Sequence, residues 1–321
     1  MARAQPQASI TPAAWPSTPV ATCMWQTAKT ISSAKSPLPA WSAPWQAPGL
    51  VSTLAGTGAQ GSADGMALSA SFNTPTGLVV DGNRNIYVAD QSNHLIRKIS
   101  AAGVVSTWAG TGTQGSANGT GTLASFNAPS GLALDGGHLI VADNANNLIR
   151  KISPSAAVTT LAGGGGSLTY SPADDGTGTA AAFDAPYAIA LDHQGNYCVA
   201  ERGSHRLRKI TPAGVVTSWV GGALDSLLDG TGLTAEINFP GGIAIDAHGY
   251  AYIGDTANNA IRLITPPDVV STFTGNPSGG AVDGSLNTAT FNAPTGVALD
   301  TSGNLYVADH DNHLIRKITL P

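Results

Sequence analysis

The sequence predicts an all-β fold, and three observations lead to this prediction. Glycine accounts for 39 of the 321 residues and charged residues for only 11%, a composition that suits short strands and tight turns better than helices. Runs of four to six residues rich in Val, Ile, Leu, Tyr and Thr lie between Gly, Asn, Asp and Pro, as strands do. These runs recur at a regular period along most of the chain.

The period is marked by an apolar segment that ends in aspartate. Its copies are separated by 54 or 57 residues and end at Asp81, Asp135, Asp192, Asp246 and Asp300. Each unit holds four such runs, with Gly and Asn at a tight-turn position after the first. One four-stranded sheet buries little by itself, whereas radial packing buries both faces. This period with four strands per unit predicts a β-propeller with five recognisable blades of four antiparallel strands.

The repeating unit resembles the NHL repeat of bacterial proteins, a propeller blade, most closely in FNAPTGVALDTSGNLYVADHDNHLIRKI. The resemblance covers residues 49–321 and implies a single propeller domain. Propellers of this kind close by combining strands from both ends of the chain in one blade. We therefore expect the strand at 50–55 to complete the last blade beside the third strand at 314–319. The alternative is an open arc left from a six-bladed parent.

Residues 1–48 do not show the repeat. They contain four of the six tryptophans, many prolines and no strand alternation, and proline is excluded from central strands. One interpretation is a disordered, proline-rich tail. Another is the out-of-frame translation of a sixth blade, because reading the codons one nucleotide out of phase permits a complete blade, including a copy of NHLIRKI from Lys29–Ser36. Both interpretations predict a disordered or loosely packed segment, and the genomic DNA of codons 1–51 tests the second.

Each unit pairs an acid at the end of its second strand with an arginine seven residues later in its third strand. Such an acid can accept hydrogen bonds from the guanidinium, and recurrence in every unit indicates a structural role. The predicted network consists of Asp90, Arg97, Asp143, Arg150, Glu201, Arg208, Asp255, Arg262, Asp309 and Arg316.

The third unit departs from the repeat and suggests a binding rim. Loops that lead into inner strands line one rim of a propeller channel, and here Tyr187 replaces a small residue. Loop acids of the same unit add negative potential. The predicted rim residues are Thr76, Ser130, Tyr187, Gly241, Thr295, Asp174 and Asp175, and the alternative is ordinary drift between repeats.

The sequence favours a non-enzymatic scaffold that binds a protein or a glycan. No catalytic motif, metal-ligand set or cofactor loop is visible, and Cys23 and Cys198 form no disulfide framework. A net charge of −5 argues against nucleic acid as a partner, and no apolar run is long enough to span a membrane. We expect a monomer and no cofactor.

The alternative function is a metal-dependent hydrolase or lyase, because six-bladed relatives of the family include lactonases and amidating lyases. No signal peptide is visible, and the resemblance is compatible with a parent protein that is secreted or on the cell surface.

Overall fold

The computed structural model describes residues 51–165, 174–222 and 224–320, together with the backbone of a short strand at Ser32–Ala34. These residues form five antiparallel sheets arranged as the blades of a β-propeller, and they contain no α-helix. The predicted fold class is therefore confirmed. We number the blades 1 to 5 in chain order. No helix in this part of the chain is long and apolar enough to cross a membrane.

Four strands form the body of a complete blade. The inner strands are Pro75–Val80, Pro129–Asp135, Pro186–Leu191, Pro240–Ile245 and Pro294–Leu299. The second strands are Ile86–Asp90, His138–Asp143, Tyr197–Glu201, Ala251–Asp255 and Leu305–Asp309. The third strands are Leu95–Ile99, Leu148–Ile152, Arg206–Ile210, Ala260–Thr265 and Leu314–Ile318. The fourth strands are Val104–Ala109, Ala157–Ala162, Val215–Val220 and Val269–Gly275.

Blades 1 to 4 also carry a short fifth strand that the sequence did not predict. It precedes the inner strand in the chain and pairs with the outer edge of the fourth strand. Its copies are Gly65–Met66, Gly119–Thr120, Gly176–Thr177 and Gly230–Thr231. Two residues are too short for a strand pattern, so only pairing in the folded blade reveals this strand.

Single turns of 3₁₀ helix connect the strands at two places in the repeat. One set follows the short fifth strand, at Ala67–Ser69, Gly121–Leu123, Gly178–Ala180 and Gly232–Thr234. The other set joins the second and third strands, at Gln91–Asn93, Asn144–Asn146, Thr256–Asn258 and His310–Asn312. The residue after this second turn adopts a left-handed backbone, with φ between 54° and 56°.

The hydrophobic core consists of layers between consecutive blades. Between blades 1 and 2, for example, Ile96 and Ala109 of the first blade pack with Ala124 and Phe126, which lead into the second. Inner strands of consecutive blades are in contact from blade 1 to blade 5. Each sheet therefore buries both faces only when it has a neighbour on each side.

The expected closure of the last blade by the strand at 50–55 is wrong in this structure. Within the described ranges, blade 5 has three strands, and its third strand, Leu314–Ile318, pairs with the second strand alone. Val51–Thr53 pairs instead with Ser32–Ala34 in a separate two-stranded sheet. In the part of the chain that the structure describes, blade 5 therefore has no fourth strand, because the segment that was expected to supply it is paired elsewhere.

The predictions that residues 1–48 are disordered or loosely packed and that they derive from a sixth blade concern residues that lie mostly outside the described ranges. The strand Ser32–Ala34 falls within the segment to which the frame-shift hypothesis assigns the missing heptamer. It pairs with Val51–Thr53 in antiparallel fashion, with Ser32 opposite Thr53. The frame shift stays a prediction.

Candidate functional site

A buried ion pair recurs in every blade, and blade 2 shows its geometry. Arg150 Nη1 donates to Asp143 Oδ2 at 2.9 Å and to the carbonyl of Ser125 at 3.0 Å. Asp143 Oδ1 accepts from the backbone N–H of Asn127 at 2.7 Å. Both side chains of the ion pair are inaccessible to solvent. Burial raises the pKa of the Asp143 carboxyl, while hydrogen bonds from Asn127, Asn146 and Arg150 oppose the rise.

The same pairs occur at Asp90–Arg97, Glu201–Arg208, Asp255–Arg262 and Asp309–Arg316. In four blades the guanidinium also lies 4.9–5.3 Å from the ring of a phenylalanine, a favourable cation–π contact. Each arginine thus ties its own blade to the loop that leads into it.

The second guanidinium nitrogen binds that loop. In blade 3, Arg208 Nη2 donates to Asp175 Oδ1 at 2.7 Å. Asp174 is buried, its carbonyl accepts from Arg208 Nη2 at 3.1 Å, and its carboxylate lies 3.8 Å from Arg206 Nη1. The structure places these two predicted rim acids in the arginine network, where their charge faces guanidinium groups.

The other predicted rim residues lie at contacts between the inner strands of neighbouring blades. Thr76 Oγ1 donates to the carbonyl of Ser130 at 3.3 Å, and Ser130 Oγ donates to the carbonyl of Tyr187 at 2.9 Å. A Cβ on Gly241 would lie 3.1 Å from the Cα of Thr295. Each of these contacts joins the first residues of two consecutive inner strands. Small side chains at these positions allow the two strands to approach each other closely.

Tyr187 belongs to a cluster that is specific to the contact between blades 3 and 4. The guanidinium of Arg202 stacks 3.5 Å from the centroid of the Tyr187 ring. Arg202 Nη2 lies beside Gly241, only 3.1 Å from the position that a Cβ atom would take there. Burial lowers the pKa of Arg202. The large Tyr187 and the absent side chain of Gly241 are therefore complementary, because together they make room for this arginine.

A further link between blades was not predicted from the sequence. In blades 1 to 4, the residue before the third strand accepts a hydrogen bond from a backbone N–H of the next blade. His94 Nδ1 accepts from Ala128 at 3.0 Å, and Asn147 Oδ1 accepts from Ala185 at 2.9 Å. His205 and Asn259 do the same for Phe239 and Ala293. The sequence did contain a signal for this link, because only His and Asn occupy this position of the repeat, and both side chains place a hydrogen-bond acceptor at the δ position.

A central cavity of about 990 Å³ lies at the other end of the inner strands. All five inner strands contribute aliphatic walls, including Val79, Leu132, Ile189, Ile243 and Val297. None of the seven predicted rim residues lines it. Five of them lie where the inner strands begin, whereas the cavity lies where these strands end. The binding role of the predicted rim stays a prediction.

Polar and aromatic groups surround the mouth of this cavity. They come from the turns after the inner strands of blades 4 and 5 and are Asp246, His248, Tyr250, Asp300 and Ser302. Tyr250 is 39% exposed, and its ring lies 6.1 Å from that of His248. Within the described ranges, no group of three or more His, Cys, Asp or Glu side chains could hold a metal ion.

Cys198 gives a first testable prediction. The thiol lies in blade 3 with no solvent exposure, and burial raises its pKa to about 12. The thiolate is the reactive form, so we expect iodoacetamide at pH 8 to leave Cys198 unmodified in the folded Cys23→Ser variant. Stoichiometric labelling is expected in denaturant, as measured by mass spectrometry. Rapid labelling of the folded protein would contradict this assignment of Cys198 to the core.

Comparisons with known proteins agree with the repeat. The family model for the teneurin NHL domain matches residues 54–226, and the model for the NHL repeat matches residues 291–318. NHL repeat-containing protein 2 from Bos taurus is 31% identical over 300 residues, a match that covers 81% of this chain and 41% of the relative. The chain thus spans less than half the length of this relative.

Two solved structures share the fold. A protein of unknown function from Bacteroides thetaiotaomicron is 24% identical, with a TM-score of 0.53 over 83% of this chain and 74% of that one. An auxiliary nutrient binding protein from Bacteroides ovatus is 18% identical, with a TM-score of 0.54 over 81% and 72%. Repeat motif, blade architecture and family match together show that this chain belongs to the NHL-repeat family of β-propeller proteins.

Proposed function

We propose that the propeller is a non-enzymatic scaffold that binds a protein or a glycan in its central cavity. The observation that carries the proposal is the composition of this cavity, with aliphatic walls from five blades and a few polar groups at one mouth. Binding sites commonly combine a mostly apolar concave surface with a small number of polar groups that orient the ligand. A bacterial origin and a secreted or cell-surface setting belong to the same proposal.

Blade 4 enlarges the cavity on one side. Directly after the arginine of the third strand, the other blades have lysines, and Lys98 and Lys209 lie over Trp108 and Trp219 at 4.6 and 4.4 Å. Blade 4 has Leu263 at this position, and Leu263 lines the cavity. The missing ammonium group leaves an apolar recess, which favours a ligand with an apolar or aromatic group.

Two aromatic rings form part of this recess. Tyr252 and Phe273 pack edge to face with their centroids 5.5 Å apart, and both line the cavity. Aromatic side chains bind both apolar peptide side chains and the faces of sugar rings, and the tyrosine hydroxyl adds a polar contact. With the mouth carboxylates of Asp246 and Asp300, this surface suits a neutral or basic peptide, or a glycan with hydroxyl donors.

A cavity-filling variant tests the proposal. Ala244 lines the cavity and is only partly buried, so Ala244→Trp is expected to occupy the recess without unfolding the blade. We expect a glycan array and a displayed peptide library to yield a saturable ligand for the unchanged chain. We expect Ala244→Trp to weaken its binding at least tenfold, measured by isothermal titration calorimetry.

The matched control is Thr217→Trp, which adds the same side chain to an exposed position of a fourth strand. This variant is expected to bind like the unchanged chain, and thermal unfolding of both variants verifies that the fold is intact. Equal binding by Ala244→Trp and the control would place the ligand elsewhere and overturn the cavity proposal. Failure of both screens to yield a saturable ligand would count against the binding function itself.

A further inference from the structure

A second cavity, of about 370 Å³, lies between blades 3 and 4 and shares Ala247 and His248 with the mouth of the central cavity. Blade 3 lines it with Lys209, Trp219 and Cys198, and blade 4 lines it with the turn between its third and fourth strands. Ligand pockets range from roughly 300 to 1,000 Å³, so this volume suits a small ligand or a single side chain.

The core beside this cavity differs from the cores of the other contacts between consecutive blades. Two positions of the second strand face each contact, one from the earlier blade and one from the later blade. The pairs are Tyr87 with Leu139, Ile140 with Tyr197, Cys198 with Ala251, and Tyr252 with Leu305. The contact between blades 3 and 4 thus has two small residues where each of the other three has a tyrosine.

The tyrosine ring has regular aromatic partners in the other blades. The rings of Tyr87 and Trp108 pack edge to face with their centroids 5.7 Å apart, and those of Tyr252 and Phe273 do so at 5.5 Å. In blade 1, Lys98 Nζ lies 5.6 Å from the centroid of the tyrosine ring and 4.6 Å from that of the tryptophan ring. A tyrosine at this position therefore lies against an aromatic ring of the fourth strand and, in blade 1, near an ammonium group.

Blade 3 keeps these partners without the tyrosine. Trp219 occupies the position of the fourth-strand aromatic residue, and Lys209 Nζ lies 4.4 Å from the centroid of its ring. Trp219 Nε1 donates to Asp268 Oδ1 of blade 4 at 2.6 Å, which fixes the orientation of the indole. Cys198 stands at the tyrosine position. The cavity thus offers an aromatic ring the same two neighbours that Tyr87 has in blade 1.

The tyrosine hydroxyl also has a regular partner, the aspartate at the end of an inner strand. The hydroxyl of Tyr197 donates to Asp135 Oδ2 at 2.6 Å, and that of Tyr306 donates to Asp300 Oδ2 at 3.2 Å. Asp300 Oδ2 also accepts from Asn304 Nδ2 at 2.8 Å. One carboxylate oxygen can therefore bind both the turn asparagine and a phenolic hydroxyl.

Asp192 is the corresponding aspartate of blade 3, and it lines the cavity. Its Oδ2 accepts from Asn196 Nδ2 at 2.9 Å, as Oδ2 of the blade 5 aspartate does from its asparagine. Lys209 Nζ lies 4.0 Å from the same oxygen. A hydroxyl group in the cavity thus meets a carboxylate that is already oriented by its own turn.

We propose that the cavity between blades 3 and 4 binds a phenolic ring in the place where other blades hold their own tyrosine. The ring packs against the indole of Trp219 and lies near the ammonium of Lys209, both favourable contacts for an aromatic group. Its hydroxyl donates to Asp192 Oδ2. A small phenolic compound and a tyrosine side chain share this chemistry. The site is separate from the central cavity, and the proposal does not rest on the function proposed for that cavity.

Isothermal titration calorimetry with 4-methylphenol at pH 7 tests the proposal on the unchanged chain. We expect saturable binding with one molecule per chain. The methyl ether 4-methylanisole cannot donate to Asp192 and is expected to bind at least fivefold more weakly. Failure of 4-methylphenol to bind, or equal binding of the two compounds, would overturn the proposal.

Trp219→Leu tests the aromatic wall and is expected to preserve the fold, because blade 2 has Leu161 at this position. We expect the dissociation constant of 4-methylphenol to rise at least tenfold. The matched control is Trp108→Leu, the same substitution in blade 1, where Tyr87 fills the corresponding place. This control is expected to bind like the unchanged chain, and equal binding by the two variants would overturn the proposal.

Two further variants locate the site. Cys198→Tyr supplies the ring from the chain itself and is expected to abolish binding of 4-methylphenol, with thermal unfolding used to verify the fold. Ala244→Trp, which fills the recess of the central cavity, is expected to leave this binding unchanged. Loss of 4-methylphenol binding in Ala244→Trp would place the compound in the central cavity and overturn the proposed site.

The amide of N-acetyltyrosine distinguishes the two sources of the ring. At least tenfold tighter binding than that of 4-methylphenol would support a tyrosine of a protein partner, since the added peptide groups then contribute contacts. Weaker binding would support a small phenolic compound. In both cases Trp219→Leu is expected to weaken the interaction, and a tyrosine amide that binds equally well to this variant would contradict the site.

Discussion

Replacing Arg150 by methionine is expected to lower the free energy of unfolding by about 3–5 kcal/mol, the usual cost of removing one partner of a buried ion pair. Asp143 would remain inaccessible to solvent without its guanidinium partner. The carbonyls of Ser125 and Ala117 would each lose a hydrogen bond of 3.0 or 3.1 Å. Urea denaturation monitored by tryptophan fluorescence and circular dichroism measures the loss.

Two controls separate the charge from the size of the side chain. Lys151→Met changes the next residue, which is partly exposed on the same strand, and is expected to alter stability by less than about 0.5 kcal/mol. The double variant Asp143→Asn, Arg150→Met removes both charges and is expected to be more stable than Arg150→Met alone. If Arg150→Met costs no more than Lys151→Met, the pair does not stabilise the blade.

Replacing Gly131 by alanine is expected to cost about 1–3 kcal/mol through overpacking. An added Cβ would lie 2.6 Å from the carbonyl oxygen of Tyr187 and 2.8 Å from the Cα of Ala188. Both atoms belong to the backbone of the next inner strand, so no flexible side chain can move aside. Blades 2 and 3 would have to separate, and their shared core would loosen. The free energy of unfolding by urea measures the effect.

Gly82→Ala is the matched control for this prediction. Gly82 lies in the turn after the inner strand of blade 1, and an added Cβ would meet no atom within 4 Å. Its substitution is expected to be neutral or slightly stabilising, because alanine restricts the unfolded chain more than glycine does. Equal destabilisation by the two variants would show that the close approach of the inner strands is not responsible.

The main features of the fold were accessible from the sequence because they repeat within one unit. Second and third strands pair within a hairpin, so the seven-residue separation between Asp143 and Arg150 was enough to suggest their contact. The short fifth strand was not accessible, because two residues such as Gly119–Thr120 carry no strand pattern. The hydrogen bond between His94 and Ala128 was also missed, because it joins different units and uses a backbone donor.

The candidate site was only partly predictable for a related reason. Tyr187 and Gly241 were noticed as departures from the repeat, but their common cause, the stacked guanidinium of Arg202, became visible only when blades 3 and 4 were packed together. The cavity lies at the opposite end of the inner strands. Its recess depends on Leu263, whose effect appears only beside Tyr252 and Phe273.

The repeat, the all-β architecture, the number of recognisable blades and the residues of each ion pair could be read from the amino-acid sequence, because they depend on short-range periodicity and complementary side-chain chemistry. The three-dimensional packing was needed to show which faces meet between blades, where the cavity lies, and which blade lacks a fourth strand among the described residues. These features depend on the curvature of the whole array and on where Val51–Thr53 finds a partner. Residues about 54 positions apart become neighbours only after every blade between them has folded.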